Sequence, residues 1–124
     1  MTTPAILERI LRKGTAGEYK VALYSGVVTR LAYSLEGEVR GEGYYAGGLA
    51  LSAPTYGHDG GSAWMRFTGS VVWRNSTIKA KSAMVYNAQT LDALLLVDFG
   101  AEISSTNDKF RVDMPDNPVI TWKI

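Results

Sequence analysis

Thr77-Ile78-Lys79-Ala80-Lys81-Ser82-Ala83-Met84-Val85-Tyr86, then Asn87-Ala88-Gln89-Thr90, then Leu94-Leu95-Leu96-Val97-Asp98-Phe99 is the stretch that decides the fold of this chain. Ile78 and Ala80 alternate with Lys79 and Lys81, the period-two pattern of a strand with one face in water. Ala83, Met84, Val85 and Tyr86 break that alternation, so both faces are covered there or a bulge intervenes. Residues 87–90 form a polar connection. The run after them is apolar enough to be a central strand.

Working upstream, Val71-Val72-Trp73 reads as a short strand set off by a turn at Arg74-Asn75-Ser76. Residues 63–68 alternate, with Trp64, Arg66 and Thr68 opposite Met65 and Phe67. Residues 53–61, dense in Gly and Pro, read as a loop. Leu49-Ala50-Leu51 and residues 39–45 are strand candidates, and Gly41 and Gly43 in the latter signal a bulge or a close backbone approach. Residues 27–32 could continue Tyr19-Lys20-Val21-Ala22-Leu23-Tyr24 as a second strand or a turn. Downstream, residues 102–108 read as a polar loop. Phe110, Val112 and Met114 alternate inward, and residues 119–124 close the chain.

Strands recur roughly every 8–12 residues between turn signals, the rhythm of an all-β antiparallel sandwich of jelly-roll-like type. Residues 17–124 are expected to form that single domain. Residues 1–16 are expected to form a short N-terminal helix or arm. There Thr3 can cap, Pro4 suits the first helical position, and Ile6, Leu7, Ile10 and Leu11 share one face before Gly14.

Composition narrows the function classes. The chain has 124 residues, 46% of them hydrophobic, with a formal net charge of +1, one histidine and no cysteine. A strong basic field for nucleic acid is absent, and disulfides, thiolate metal sites and cysteine nucleophiles are excluded. No apolar run approaches the 18 or so residues of a membrane helix, and none at the start resembles a signal-peptide core. Synthesis in the cytoplasm is the expectation.

Candidate chemistry is sparse. His58 sits beside Asp59 in the Gly-rich loop with no second histidine to complete a metal set, and no Gly-x-Ser-x-Gly elbow is present. Glu36, Glu38 and Glu42 alternate, whereas the aspartates are scattered. Glu102 and Asp108 flank a Ser/Thr/Asn segment without the spacing of a calcium loop. Gly41-x-Gly43 fails the dinucleotide fingerprint, since three residues separate Gly43 from Gly47 and a strand follows. Tyr33, Tyr44, Tyr45, Tyr56, Trp64 and Trp73 suit core packing in a small sandwich, with a sugar-binding face as the alternative. Tyr44, Tyr45 and Tyr56 adjoin turns and are the aromatics expected at the surface. No enzyme activity, cofactor or metal is expected.

The segment Glu38-Val39-Arg40-Gly41-Glu42-Gly43-Tyr44-Tyr45-Ala46-Gly47-Gly48 resembles a Glu-Val-x-Gly-x-Gly-Tyr-x-Ala-Gly-Gly stretch in small virion structural proteins of tailed bacteriophages. Further landmarks follow in order: Val71-Val72-Trp73, Ala83-Met84-Val85-Tyr86-Asn87, Val97-Asp98-Phe99-Gly100, Ser104-Ser105, and Phe110-Arg111-Val112-Asp113-Met114-Pro115. Lys81-Ser82 stands where an Arg-Gly pair is more usual. The resemblance implies a capsid cement or decoration protein on the virion surface that bridges major capsid protein subunits, as a dimer or trimer. A tail, fibre-attachment or carbohydrate-binding module is the alternative. Nucleic acid and membrane are not expected as partners. The candidate interface comprises Ile6, Leu7, Ile10 and Leu11, the turn tyrosines Tyr44, Tyr45 and Tyr56, and Ile120, Trp122 and Ile124 of a costly-to-expose last strand.

Overall fold

A computed structural model describes residues 17–51, 54–67, 69–114 and 120–123, together with Ala5 and Arg9. The expected N-terminal helix, with Ile6, Leu7, Ile10 and Leu11, lies outside the described residues but for those two positions, and Ile124 lies outside them as well. The described strands are β1 (Tyr19–Tyr24), β2 (Leu49–Ala50), β3 (Thr55–Asp59), β4 (Ser62–Arg66), β5 (Ser70–Asn87), β6 (Ala93–Asp113) and β7 (Ile120–Lys123). They form two sheets, in the orders β2-β1-β5-β6 and β3-β4-β7, and these belong to two compact units.

In the larger unit, β1 pairs antiparallel with β5 along its whole length, from Tyr19 opposite Asn87 to Tyr24 opposite Ser82. All four residues of the run 83–86 are buried, so both faces are covered there. Lys79 and Lys81 face water while Ile78 and Ala80 are buried, as the alternation requires. The predicted turn at residues 74–76 is instead a bulge inside one continuous strand. Asn75 adopts φ 49°, and the buried set switches from Val71 and Trp73 to Ser76, Ile78 and Ala80 across it. One extra residue reverses the side-chain parity while the ladder continues.

β6 departs further from expectation. Residues 102–108 belong to this strand and not to a loop, and the apolar run 94–97 lies at the edge of the sheet, not in its centre. Asn87 N–H bonds the Asp92 carbonyl (2.9 Å), and Ser105 Oγ donates to the Ser76 carbonyl (3.0 Å). The two strands therefore run antiparallel. Phe99 and Phe110, eleven residues apart on β6, have ring centroids 6.4 Å apart, where a straight strand would separate their Cα atoms by roughly 36 Å. The strand bends back sharply between them, in the stretch that holds Gly100 at φ 78° and Asn107 at φ 48°. Ser76 Oγ braces the bend. It lies within hydrogen-bonding distance of Ser105 Oγ (2.9 Å), the Asp108 carbonyl (3.0 Å) and the Trp73 carbonyl (3.1 Å). Trp73, Phe110 and Phe99 pack in series inside it, with Tyr44 on the other side of Trp73.

In the smaller unit, β3 and β4 form a hairpin with Tyr56 opposite Met65, Gly57 opposite Trp64 and His58 opposite Ala63. Residues 55–59, predicted as loop, are thus strand, because their cross-strand partners outweigh a Gly-rich composition. Ala63, Met65 and Phe67 are buried, on the face opposite Trp64 and Arg66. The half-buried Trp64 carries the Arg66 guanidinium 4.3 Å above its ring, and its indole fills the space a side chain at Gly57 would need.

Candidate functional site

The segment between β1 and β2, residues 25–48, is too long for a plain connection, and such segments are usually functional. Neither strand predicted within it forms. Isolated bridges at Ala32 and Glu38 are its only described ladder contacts. Its order comes from side chains and from backbone laid directly on backbone.

Glu38 is the hub. It is 8% exposed. Its Oε1 accepts the Tyr33 hydroxyl (2.6 Å), while Oε2 accepts the Tyr44 hydroxyl and the Gly47 N–H (2.8 Å). Tyr44 Oη in turn accepts the Leu23 N–H (3.0 Å). Tyr86 donates to the Gly47 carbonyl (2.6 Å), and Tyr24 to that of Ser34 (2.8 Å). Tyr33 stacks on Tyr86 with ring centroids 4.5 Å apart. Burial, reinforced by the neighbouring Glu38, raises the pKa of Tyr33 and of Tyr44 far above the usual tyrosine value. Burial likewise pushes Tyr86 up to about 12. These phenols stay protonated and keep donating.

The glycines of the motif explain themselves here. Gly41 lies against the Thr77 carbonyl, and Gly43, at φ 82°, has Ser76 Cα only 2.9 Å from where a Cβ would stand. A side chain on Gly48, at φ 79°, would be driven into the Val21 carbonyl. The Glu42 carbonyl accepts the Thr77 N–H (2.9 Å) across this contact. The close approach anticipated at Gly41 and Gly43 is what the structure has, without the strand or the bulge.

Outside this lock the segment exposes several large apolar side chains among charged ones such as Glu36, Arg40 and Glu42. Val27, Leu31, Leu35 and Tyr45 are 55%, 81%, 66% and 79% exposed. Leu31 is hydrogen-bonded through its carbonyl to Ala93 N–H, beside the exposed Leu91. A cavity of about 190 Å³ opens between Leu35 and Ala46, floored by Glu38 and Tyr44 and flanked by Arg40.

The predicted interface residues scatter. Tyr45 is exposed as expected. Tyr44 is not: it is 7% exposed and committed to Glu38, because a turn-adjacent phenol found a buried acceptor. Tyr56 is half-buried in β3. Ile120 and Trp122 lie in β7, opposite Met65 and Ala63 of β4. The other aromatics considered for a sugar-binding face, Tyr33, Trp64 and Trp73, are engaged in the packing already described. His58 is an exposed strand residue. No group of three or more potential metal ligands occurs among the described residues. Sequence reasoning missed Val27, Leu31 and Leu35 as surface residues and Glu38 as a structural hub. The exposed leucines carry no periodic signal, but a glutamate leading a Gly-x-Gly-Tyr segment was available as a pointer.

No protein-family model matches the chain. No curated protein and no solved structure matches it.

Proposed function

We propose that this chain is a bacteriophage virion structural protein, a capsid cement or decoration protein that bridges major capsid protein subunits by contact alone. The observation that carries the reading is the pairing of a rigid support with large apolar side chains held in water on its outside. A cost-bearing buried carboxylate and three backbone-to-backbone glycine contacts hold residues 25–48, and their outside carries Val27, Leu31, Leu35 and Tyr45. Exposed apolar side chains gathered on one ordered segment mark a surface that another molecule covers. The resemblance of the ordered motifs to those of small phage structural proteins favours a virion partner, and residues 25–48, with four of the six exposed large apolar side chains among the described residues, include the most extensive of those motifs. The same reading carries the expectation of a jelly-roll-like sandwich with a short N-terminal helix, assembled as a dimer or trimer.

Mass spectrometry of purified particles of the phage that encodes the chain tests it. Hundreds of copies per particle are expected. A copy number near six or twelve moves the protein to the tail, and absence from the particle refutes the reading. Leu31→Ser with Leu35→Ser should abolish incorporation while changing stability by only about 0.5 kcal/mol, since both side chains already lie in water.

A further inference from the structure

We propose that the open edge of β6 at residues 94–99 receives an extended basic strand from a partner protein as a fifth strand of the sheet. β6 ends the order β2-β1-β5-β6, and among the described residues its outer side takes backbone partners at its start. There the Tyr33 N–H bonds the Leu91 carbonyl (2.7 Å) and the Ala93 N–H bonds the Leu31 carbonyl (2.9 Å). The chain's own residues 31–33 thus begin an outer strand and then leave it. Backbone groups alternate sides along a strand, so the N–H groups of Leu95 and Val97 fall in step with that of Ala93 and face the same open side. Beyond Val97 the strand enters its bend at Gly100, whose N–H is taken by Asp98 Oδ1 (2.8 Å).

Side chains at this edge match the vacancy. Leu94, Leu95, Leu96 and Val97 have the composition of a central strand, yet all four are only half-buried. Residues 94–99 carry no Lys, Arg or Pro, the residues that usually guard a sheet edge. Charge specifies the occupant. Asn87 opposite Asp92 puts odd positions of β5 on the same face as even positions of β6. The exposed Lys79 and Lys81 therefore share the solvent face with the exposed Asp98, and Glu102, past the bend, lines one cleft with Lys79. The lysines of β5 stand beside the acids of β6, and a basic strand at the outer edge would give Asp98 a second cross-strand partner. A second copy pairing antiparallel along the same stretch would bring its own Asp98 onto that face, where like charges repel. Strand addition of this kind draws affinity from main-chain hydrogen bonds and selectivity from the alternating side chains.

The proposal rests on the reading of the chain as a docking protein, but its test needs no virion, so the two can fail separately. The ¹⁵N-labelled full chain is titrated with two synthetic ten-residue peptides, one alternating Val and Lys, the other Val and Glu. The Val-Lys peptide should shift the Leu95 and Val97 amides and slow their hydrogen exchange at least tenfold, at concentrations where Val-Glu does nothing. Val97→Pro, which removes an outward N–H and no donor to β5, should abolish the response. Asp98→Lys should invert the preference toward Val-Glu and keeps the test open if the proline variant misfolds. An equal response to both peptides, or none at Leu95 and Val97, overturns the proposal. So does a chain that sediments alone as a dimer with both amides already protected, which would assign the edge to a second copy.

Discussion

Glu38→Ala removes both oxygens on which residues 25–48 converge. Two donors, the buried Tyr44 hydroxyl and the part-buried Gly47 amide, then lose their acceptor. Each such loss costs about 1–3 kcal/mol. The half-buried Tyr33 hydroxyl can turn to water and adds little. Deleting the carboxylate also relieves the cost of burying it, so the expected net destabilisation is about 2–4 kcal/mol, a large part of the roughly 5–15 kcal/mol typical of a domain. Urea unfolding followed by far-ultraviolet circular dichroism should show this as a lower midpoint at unchanged slope. Glu38→Gln keeps one acceptor oxygen and should cost about 1 kcal/mol. Tyr44→Phe removes the strongest partner, so Glu38→Ala and Tyr44→Phe should couple by at least about 1 kcal/mol in a double-mutant cycle. Strict additivity, or a Glu38→Ala cost below about 0.5 kcal/mol, would refute the account of Glu38 as the organising hub.

Two further predictions concern the same region. Free tyrosine ionises near pH 10, whereas folding holds Tyr33, Tyr44 and Tyr86 protonated well beyond that, Tyr86 to about 12. Above pH 10 the unfolded state binds fewer protons than the folded one, so this stabilisation is complete below pH 10. It is lost as pH climbs through 12, at roughly 1.4 kcal/mol per pH unit for each phenol that stays protonated. The part of the 295 nm absorbance rise that Tyr33→Phe, Tyr44→Phe and Tyr86→Phe remove should come together with loss of circular dichroism, and its appearing at pH 10 in a still-folded chain would contradict the assignment. Gly48→Ala should cost about 2–4 kcal/mol through its collision with the Val21 carbonyl at positive φ. Gly60→Ala, which meets nothing within 4 Å, should stay within about 0.5 kcal/mol. Thermal melts of the two variants measure the contrast.

Alternation was readable because it is written residue by residue. Ile78 against Lys79, Phe110 against Arg111, and Met65 against Arg66 took the faces their polarity dictates. Burial of the whole run 83–86 was equally visible, since four consecutive apolar residues have no wet face to offer. Asn75 was read as a turn because a bulge and a turn favour the same residue, and only the partner strand decides whether the ladder resumes. Glu38 was marked only by its place ahead of Gly41-x-Gly43-Tyr44, which does not show that it is buried. A glutamate in a Gly-rich segment is ordinarily solvated, and its burial depends on Tyr33, Tyr44 and Gly47 converging from three turns.

By itself, then, the amino-acid order determined strand-rich structure, the inward and outward faces, and the glycines that must lie close to another backbone. Those properties follow from side-chain polarity and local sterics. Only the tertiary structure decided that β6 is an edge and not a centre, that it bends back so that Phe99 meets Phe110, and that Tyr44 is a buried donor while Leu31 stands in water. Strand order and the wrapping of residues 25–48 depend on contacts between residues far apart in the chain, and no local pattern encodes which of the two sides of a strand will find a partner.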